Sequence, residues 1–493
     1  MFDRDSISVY GLALGLISFI FFITNEPPSD LNYKAWITAG VAILMTIWWV
    51  TEAIPIYITG LIPIIVFPLF NIFEIQDISN SYAHPLVLLF LGGFIIASAM
   101  ESCGLHKRIA LNILSLSGTS PSKIIAGFMI TTASISMWVS NTASTIMMLP
   151  IATSVITIFV NQNRAEDRDF TIPLLLAIAY SASLGGIATL IGTPTNIMLA
   201  SILSDNYKFN ISFFDWLKIG LPITIILLPL VWFILTRVVF TVSKSKSNAL
   251  ELTIKKLKEE IGKPTYAERI VGIVFFLTAI FWILRKFINN YFNININDTS
   301  IGLFGALLLF IIPISKGKRA CDWSTANKIP WGVLLLVGGG IALSKAFTSS
   351  GLADWIGTFS FYFDGLNIFL LMLIFVTLII FLTELNSNTA TIATFTPILI
   401  AFSLAININP LFIAIPSTIA ASCAFMLPVA TPPNAVIFGS GKISIKNMIK
   451  AGFILNIIGV FLVTSISYLL IKYLWGYETV SYTHLTLPTI YSV

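Results

Sequence analysis

The chain has 493 residues, of which 56% are hydrophobic and 10% charged, with a formal net charge of +5. A soluble protein carries roughly a quarter charged residues, so a soluble enzyme, a nucleic-acid binder and a disordered scaffold are excluded and a polytopic membrane protein remains. The apolar runs are far longer than barrel strands, so the spans are read as helices.

Met1 to Asp5 is short and mixed in charge. The first apolar run, Ile7 to Ile23, is followed by no small-residue cleavage site and reads as a retained span. Spans are expected next over 36–51, 54–70 and 85–103. The apolar block 121–160 is interrupted by Ser140-Asn141-Thr142. Span 171–203 is expected to break at Gly192-Thr193-Pro194-Thr195-Asn196, and span 213–241 follows. Eleven charged residues then lie between Lys244 and Arg269, including Lys246, Glu251 and Lys255, and mark 242–267 as a cytoplasmic loop. Spans 268–288, 299–315 and 329–348 come next. A second interrupted block, 366–404, contains Ser387-Asn388-Thr389. The last spans are 411–440, expected to break at Ala430-Thr431-Pro432-Pro433-Asn434, and 447–474. Residues 481–493 read as a non-native tail, because the string looks like a translated sequencing adapter.

With 242–267 inside, Lys107, Arg108, Lys123, Arg164, Arg168, Lys316, Lys318, Arg319, Lys328, Lys442, Lys446 and Lys450 fall inside too. This requires blocks 121–160 and 366–404 to enter and leave on the same side, as re-entrant hairpins. The expectation is an all-α polytopic membrane protein of about eleven transmembrane helices plus two re-entrant hairpins. Its N-terminus is cytoplasmic and its C-terminus outside.

The chain also repeats itself. Leu88 to Ile95 resembles Leu334 to Ile341, Gly104-Leu105 matches Gly351-Leu352, and Ser140-Asn141-Thr142 matches Ser387-Asn388-Thr389, all at an offset of 246 or 247 residues. Gly-Thr-Pro-Thr-Asn at 192–196 then matches Ala-Thr-Pro-Pro-Asn at 430–434. Five expected spans between the hairpins invert the second copy, and inverted repeats with matched broken helices are secondary-transporter architecture.

A single Ser-Asn-Thr would read as polar residues bonding a neighbouring helix, and a single Thr-Pro as a kink. Paired at inverted-repeat positions they read as a site. Ser, Thr and Asn offer uncharged donors and acceptors. The helix after each tip adds free N–H groups and a positive dipole end. Two such tips suit an anion with two carboxylates. Tip carbonyls and the Asn oxygen equally suit sodium, with Ser136 and Thr383 one turn upstream. Gly192 and Ala430 let backbone approach closely, and Pro194, Pro432 and Pro433 free carbonyls.

Ser136-Met137-Trp138-Val139-Ser140-Asn141-Thr142, Gly192-Thr193-Pro194, Thr383-Glu384-Leu385-Asn386-Ser387-Asn388-Thr389 and Pro428 to Asn434 together resemble the divalent anion/sodium symporter family. These are bacterial relatives of the mammalian sodium-dependent dicarboxylate and citrate carriers. The likeness runs from about residue 8 to 475. It implies a homodimer working as an elevator. It also implies scaffold helices over 1–115 and 268–350. The transport domain comprises the first hairpin and broken helix over 116–241, and the second hairpin, broken helix and last helix over 351–475. The resemblance implies one sodium site of Ser136, Ser140, Asn141 and Gly192, and another of Thr383, Asn386, Asn388 and Ala430. The substrate carboxylates would meet Ser140, Asn141, Thr142, Ser387, Asn388 and Thr389, with Thr193, Thr431 and Pro432 nearby. Asn386 departs from the small residue or Thr of many members, and matters only if its side chain turns inward. Thr389 resembles dicarboxylate members more than citrate-preferring ones.

The implied function is sodium-coupled uptake of C4-dicarboxylates (succinate, malate, fumarate) across a bacterial inner membrane. Sodium is the co-transported ion, and no organic cofactor or nucleic acid is expected. A sodium-independent exchanger, or a symporter for citrate or sulfate, stays open. An intramembrane enzyme lacks a nucleophile–base pair. Cys103, Cys321 and Cys423 form no CxxC, and His84, His106 and His484 form no HExxH. Glu101 and Lys345 are expected to snorkel at span ends. Glu384 is expected to make a structural hydrogen bond or to aid sodium remotely. Trp48, Trp49, Trp323 and Trp331 are expected at the membrane interfaces.

Overall fold

The computed structural model describes residues 4–118, 120–162, 167–242, 256, 258–315, 317–359, 363 and 365–476. Lys244, Lys246, Glu251 and Lys255 of the charged loop, Arg164, Lys316, the Arg168 side chain, His484 and the tail 481–493 lie outside them.

In chain order the helices are α1 (Arg4–Thr24), α2 (Tyr33–Thr51), α3 (Ile56–Thr59), α4 (Ile62–Leu69), α5 (Ile75–Tyr82), α6 (Pro85–Cys103) and α7 (Leu105–Leu114). Then follow α8 (Pro121–Ser136), α9 (Asn141–Gln162), α10 (Asp167–Ile187), α11 (Pro194–Tyr207) and α12 (Phe213–Phe233), the last extended by a π turn to Val239. The second half holds α13 (Tyr266–Phe292), α14 (Asp298–Ile311), a small hairpin of β1 (Pro313–Ser315) and β2 (Lys318–Arg319), α15 (Trp323–Ala326) and α16 (Trp331–Ser349). It closes with α17 (Leu352–Thr358), α18 (Ile368–Thr383), α19 (Asn388–Ala405), α20 (Leu411–Ala421), α21 (Pro432–Gly439) and α22 (Ile445–Leu469).

The fold is that of an all-α polytopic membrane protein. Nine segments among the described residues are long and apolar enough to cross a bilayer. Eight fall on expected spans, and the ninth is α19. Expected spans 54–70, 299–315 and 411–440 are instead built from shorter pieces. The chain is interrupted at Gly60-Leu61 between α3 and α4. Helix α14 starts at an Asn297 cap and gives way to a β turn at Pro313. Its 14 residues rise about 21 Å, short of a ~30 Å hydrocarbon core.

Burial separates inner from outer helices. Phe170–Ile187 of α10 is wholly buried, whereas Ile7–Thr24 of α1 is only 17% buried. A helix apolar on all faces and enclosed by protein is core; one apolar and exposed faces lipid. Trp49 departs from the expected interfacial role. It is 1% exposed and its indole N–H donates to the Ile56 carbonyl oxygen, because the turn after α2 folds α3 back over it. Trp323 and Trp331 do stay exposed.

The internal repeat is visible in the elements. α18 and α19 begin 247 residues after α8 and α9. Each pair is preceded by a short helix, α7 or α17, entered through a glycine in the left-handed region, Gly104 (φ 81°) and Gly351 (φ 83°). An L side chain would be strained at either position. The packing repeats as well. α8 lies on α10 as α18 lies on α20, and α9 lies on α21 as α19 lies on α11. Each hairpin therefore meets the broken helix of its own repeat and that of the other.

Candidate functional site

The two breaks sit upstream of the positions expected from the prolines. α10 ends at Ile187 and α11 starts at Pro194; α20 ends at Ala421 and α21 starts at Pro432. Proline opens each second half-helix, where its missing N–H removes no intrahelical bond. The irregular stretches are 188–193 and 422–431.

Two asparagines close these stretches. Asn196 Nδ2 donates to the carbonyl oxygens of Gly186 (3.0 Å) and Thr189 (2.8 Å). Asn434 Nδ2 donates to those of Ala424 (3.1 Å) and Leu427 (3.0 Å). Both asparagines are fully buried, and donors and acceptors alike are 238 positions apart. The sequence motifs contain both residues, but their role as staples appears only once the partner carbonyls are placed. Their amides satisfy backbone that unwinding frees inside the protein.

Each hairpin tip carries a cluster of three oxygens. Ser136 Oγ lies 2.8 Å from Asn141 Oδ1 and 2.7 Å from the Ala182 carbonyl oxygen. Thr383 Oγ1 lies 2.7 Å from Asn388 Oδ1 and 3.1 Å from the Ala421 carbonyl oxygen. A hydroxyl has one proton to give, so each can donate to only one of its two neighbouring oxygens. A hard monovalent cation completes such a set. Rotating the asparagine amide would let its N–H donate to the hydroxyl, so the same groups can also close without an ion. The carbonyls of Ala182 and Ala421 were not legible in the sequence, since a backbone ligand has no residue-type signature.

Gly192 and Gly186 tighten the first cluster. A Cβ on Gly192 would come within 2.5 Å of the Gly186 carbonyl oxygen, and one on Gly186 within 2.5 Å of Asn141 Oδ1. The second repeat has Ala424 and Ala430 at these places, Ala430 being buried. Asn386 does not join its cluster. Its Oδ1 accepts the N–H of Ser387 at 2.8 Å, which turns the side chain onto its own backbone.

The tips also present donors. The first helical bonds run from Ser144 N–H to the Ser140 carbonyl and from Thr391 N–H to the Ser387 carbonyl. The N–H groups of Asn141, Thr142, Asn388 and Thr389 therefore precede any intrahelical acceptor. Ser140 Oγ accepts from Ala143 N–H at 3.3 Å. Ser140, Thr142 and Ser387 are half-buried, whereas Thr389 is buried. Thr193 and Thr431 are buried N-caps of α11 and α21. Thr431 Oγ1 accepts from Asn434 N–H at 3.3 Å, and Pro432 beside it is exposed.

Glu384 has the structural role. Its Oε1 accepts from Phe425 N–H (2.7 Å), Met426 N–H (2.9 Å) and Asn456 Nδ2 (2.7 Å), and its Oε2 from Leu427 N–H (3.0 Å). The carboxylate thus holds the second break through four donors, with no cation in the set. Met137 is its counterpart, and there the Thr189 hydroxyl donates to the Met137 carbonyl oxygen. The two halves also differ in exposure. Trp138 at the first tip packs edge-on against Phe275 at 4.9 Å and stacks on Phe213. Its counterpart Leu385 is 65% exposed, and Val429 in the second break is 73% exposed against 5% for Ile191. The tip and break are packed in the first half and more exposed in the second.

Residues 6–477 match the family described as the sodium:sulfate symporter transmembrane region. A relative from Staphylococcus saprophyticus, named sodium-dependent dicarboxylate transporter SdcS, is 39% identical over 481 residues, covering 95% of this chain and 92% of that one. The SdcS of Staphylococcus aureus strain USA300 is 40% identical over 478 residues, with the same coverage. Among solved structures, the YdaH transporter of Alcanivorax borkumensis superposes with a TM-score of 0.53 at 11% identity, covering 95% of this chain and 97% of that one.

Proposed function

The chain belongs to the sodium:sulfate symporter family, and we propose that it couples sodium influx to uptake of C4-dicarboxylates such as succinate, malate and fumarate across a bacterial plasma membrane. The relatives named sodium-dependent dicarboxylate transporters support this reading. The observation that carries it is the matched pair of three-oxygen clusters, one at each hairpin tip.

In this reading sodium binds first, one ion at Ser136, Asn141 and the Ala182 carbonyl, with Ser140 and Gly192 adjoining. A second binds at Thr383, Asn388 and the Ala421 carbonyl, beside Ala430. Each ion holds its asparagine with Oδ1 inward and fixes the tip. The dianion then binds between the tips, taking donors from Ser140, Asn141, Thr142, Ser387, Asn388 and Thr389, with Thr193, Thr431 and Pro432 bordering it. Moving one carboxylate-sized ion into low dielectric has an idealised cost on the order of 20 kcal/mol. Neutral donors and helix ends offset part of that, and the sodium charge offsets more. Residues 116–241 and 351–475 carry the loaded site past scaffold helices 1–115 and 268–350 in an elevator motion within each protomer of a homodimer. The N-terminus is cytoplasmic and the C-terminus outside.

The test is uptake of labelled succinate into proteoliposomes under a sodium gradient, with unlabelled malate, fumarate, citrate and sulfate as competitors. Malate and fumarate compete in this account. Competition by sulfate alone, with no succinate uptake, would leave the architecture and remove the substrate.

A further inference from the structure

A cavity of about 390 Å³ lies away from the tips, at the far end of α11. Its walls come from the end of α5 and the link to α6 (Asn80, Ser81, His84), from the end of α11 (Asp205, Asn206, Lys208) and from Lys345 of α16. Small-ligand sites occupy roughly 300–1,000 Å³ and are mostly apolar with a few polar groups. This wall is mostly polar, with Ala83 and Pro85 its apolar members, so its ligand is polar too.

The charge of the wall is set by one tautomer. His84 Nδ1 accepts the Leu86 N–H at 3.2 Å, so the neutral ring carries its proton on Nε2. That nitrogen lies 3.1 Å from Asp205 Oδ1 and donates to it. The one carboxylate of the wall is thereby engaged without a positive histidine. Both lysines hydrogen-bond only to backbone carbonyls, while the Asp205 carboxylate lies within the field of both. Lys345 Nζ donates to the Asp77 carbonyl oxygen at 3.3 Å and stands 5.2 Å from the Phe73 ring centre. Lys208 Nζ donates to the Asp205 carbonyl oxygen at 3.1 Å. An ammonium has three N–H donors, so each keeps donors to give. Asn206 Nδ2 is tied to Ser344 Oγ at 2.8 Å, which leaves its oxygen and the Asn80 amide as further polar contacts.

We infer that this cavity is a second anion site, taking a small dianion of the dicarboxylate or phosphate class between Lys208 and Lys345. A dianion there bridges α11 to α16. α11 is the half-helix that starts at the first break, and its 14 residues carry the bridge about 21 Å to Pro194. A filled cavity therefore pins the first broken helix against its neighbours and slows turnover. The site needs no sodium, because its positive charge comes from side chains.

The experiment is calorimetric titration of the purified full-length protein in sodium-free choline buffer, with succinate and inorganic phosphate as separate probes. Wild type is expected to bind at least one of them. Lys345→Gln is expected to weaken that binding at least tenfold, Lys345→Arg to restore it, and Asn388→Ala to leave it in place. Thermal melting of each variant separates lost binding from lost folding. Sodium-independent binding of neither anion, or binding untouched in a folded Lys345→Gln, would overturn the inference. Because phosphate is probed beside succinate in the absence of sodium, failure of the dicarboxylate reading leaves this test intact.

Discussion

Gly186→Ala is the sharpest perturbation of the first oxygen cluster. The new Cβ would sit 2.5 Å from Asn141 Oδ1 and 3.0 Å from its Nδ2. A carbon–oxygen contact settles at roughly 3.3 Å, so the Asn141 amide must retreat by about 0.8 Å. Asn141 Oδ1 is one of three oxygens in the cluster, and a shift of that size removes it from a small ion's shell. Losing one hydrogen-bond-strength oxygen contact costs about 1–2 kcal/mol, which is about 5–30-fold in the sodium concentration for half-maximal uptake. The assay is initial succinate uptake in proteoliposomes against sodium concentration. The second repeat supplies the control. Ala424 already carries a Cβ at the equivalent place, so Ala424→Gly costs about 1–2 kcal/mol of stability through a lost buried methyl and gained backbone freedom and leaves the sodium curve in place. A folded Gly186→Ala protein with an unchanged sodium curve would refute the reasoning, because it would mean that Asn141 Oδ1 is not a ligand.

Three other outcomes follow from the same geometry. Glu384→Gln puts an amide N–H₂ against backbone donors whichever way it turns, losing at least one charge-assisted bond at about 1.5–3 kcal/mol; the melting temperature should fall, and an unaltered melt would show that the second break is held otherwise. Asn386→Ser should leave the sodium curve unchanged, since the Asn386 oxygen is occupied by Ser387 N–H; a raised half-saturation would place that side chain in the cation shell. Asn434→Ala strips donors from the Ala424 and Leu427 carbonyls and should destabilise the protein by about 1–3 kcal/mol per orphaned group, read by chemical denaturation. A stability equal to wild type would contradict the staple.

What the sequence made legible were features with a pattern. The paired Ser-Asn-Thr tips, the matched Gly-Leu pairs before each hairpin and the offset of 246 or 247 residues are repeats of residue type, and repeats survive without coordinates. The breaks lie upstream of where the prolines suggest, because proline marks where a helix can begin as well as where one fails. Pro194 and Pro432 begin α11 and α21, and the unwound stretches precede them. The Ala182 and Ala421 ligands stayed hidden because any residue supplies a carbonyl. Trp49 reads as interfacial from residue type alone, whereas α3 covers it. Glu384 is legible in sign, since a carboxylate beside a dianion site must be occupied elsewhere, but three of its donors are backbone N–H groups 41 to 43 residues away and the fourth is the Asn456 amide.

The central claim is that two sodium-organised tips bind one dianion. Its most direct test is labelled succinate uptake into proteoliposomes under an inward sodium gradient against a matched choline control, in wild type, Asn141→Ala and Asn388→Ala. The account predicts sodium-dependent uptake in wild type and its loss in each single variant, because either tip alone leaves one carboxylate unmet. Saturable uptake that persists in choline, or that survives loss of either asparagine, would contradict it.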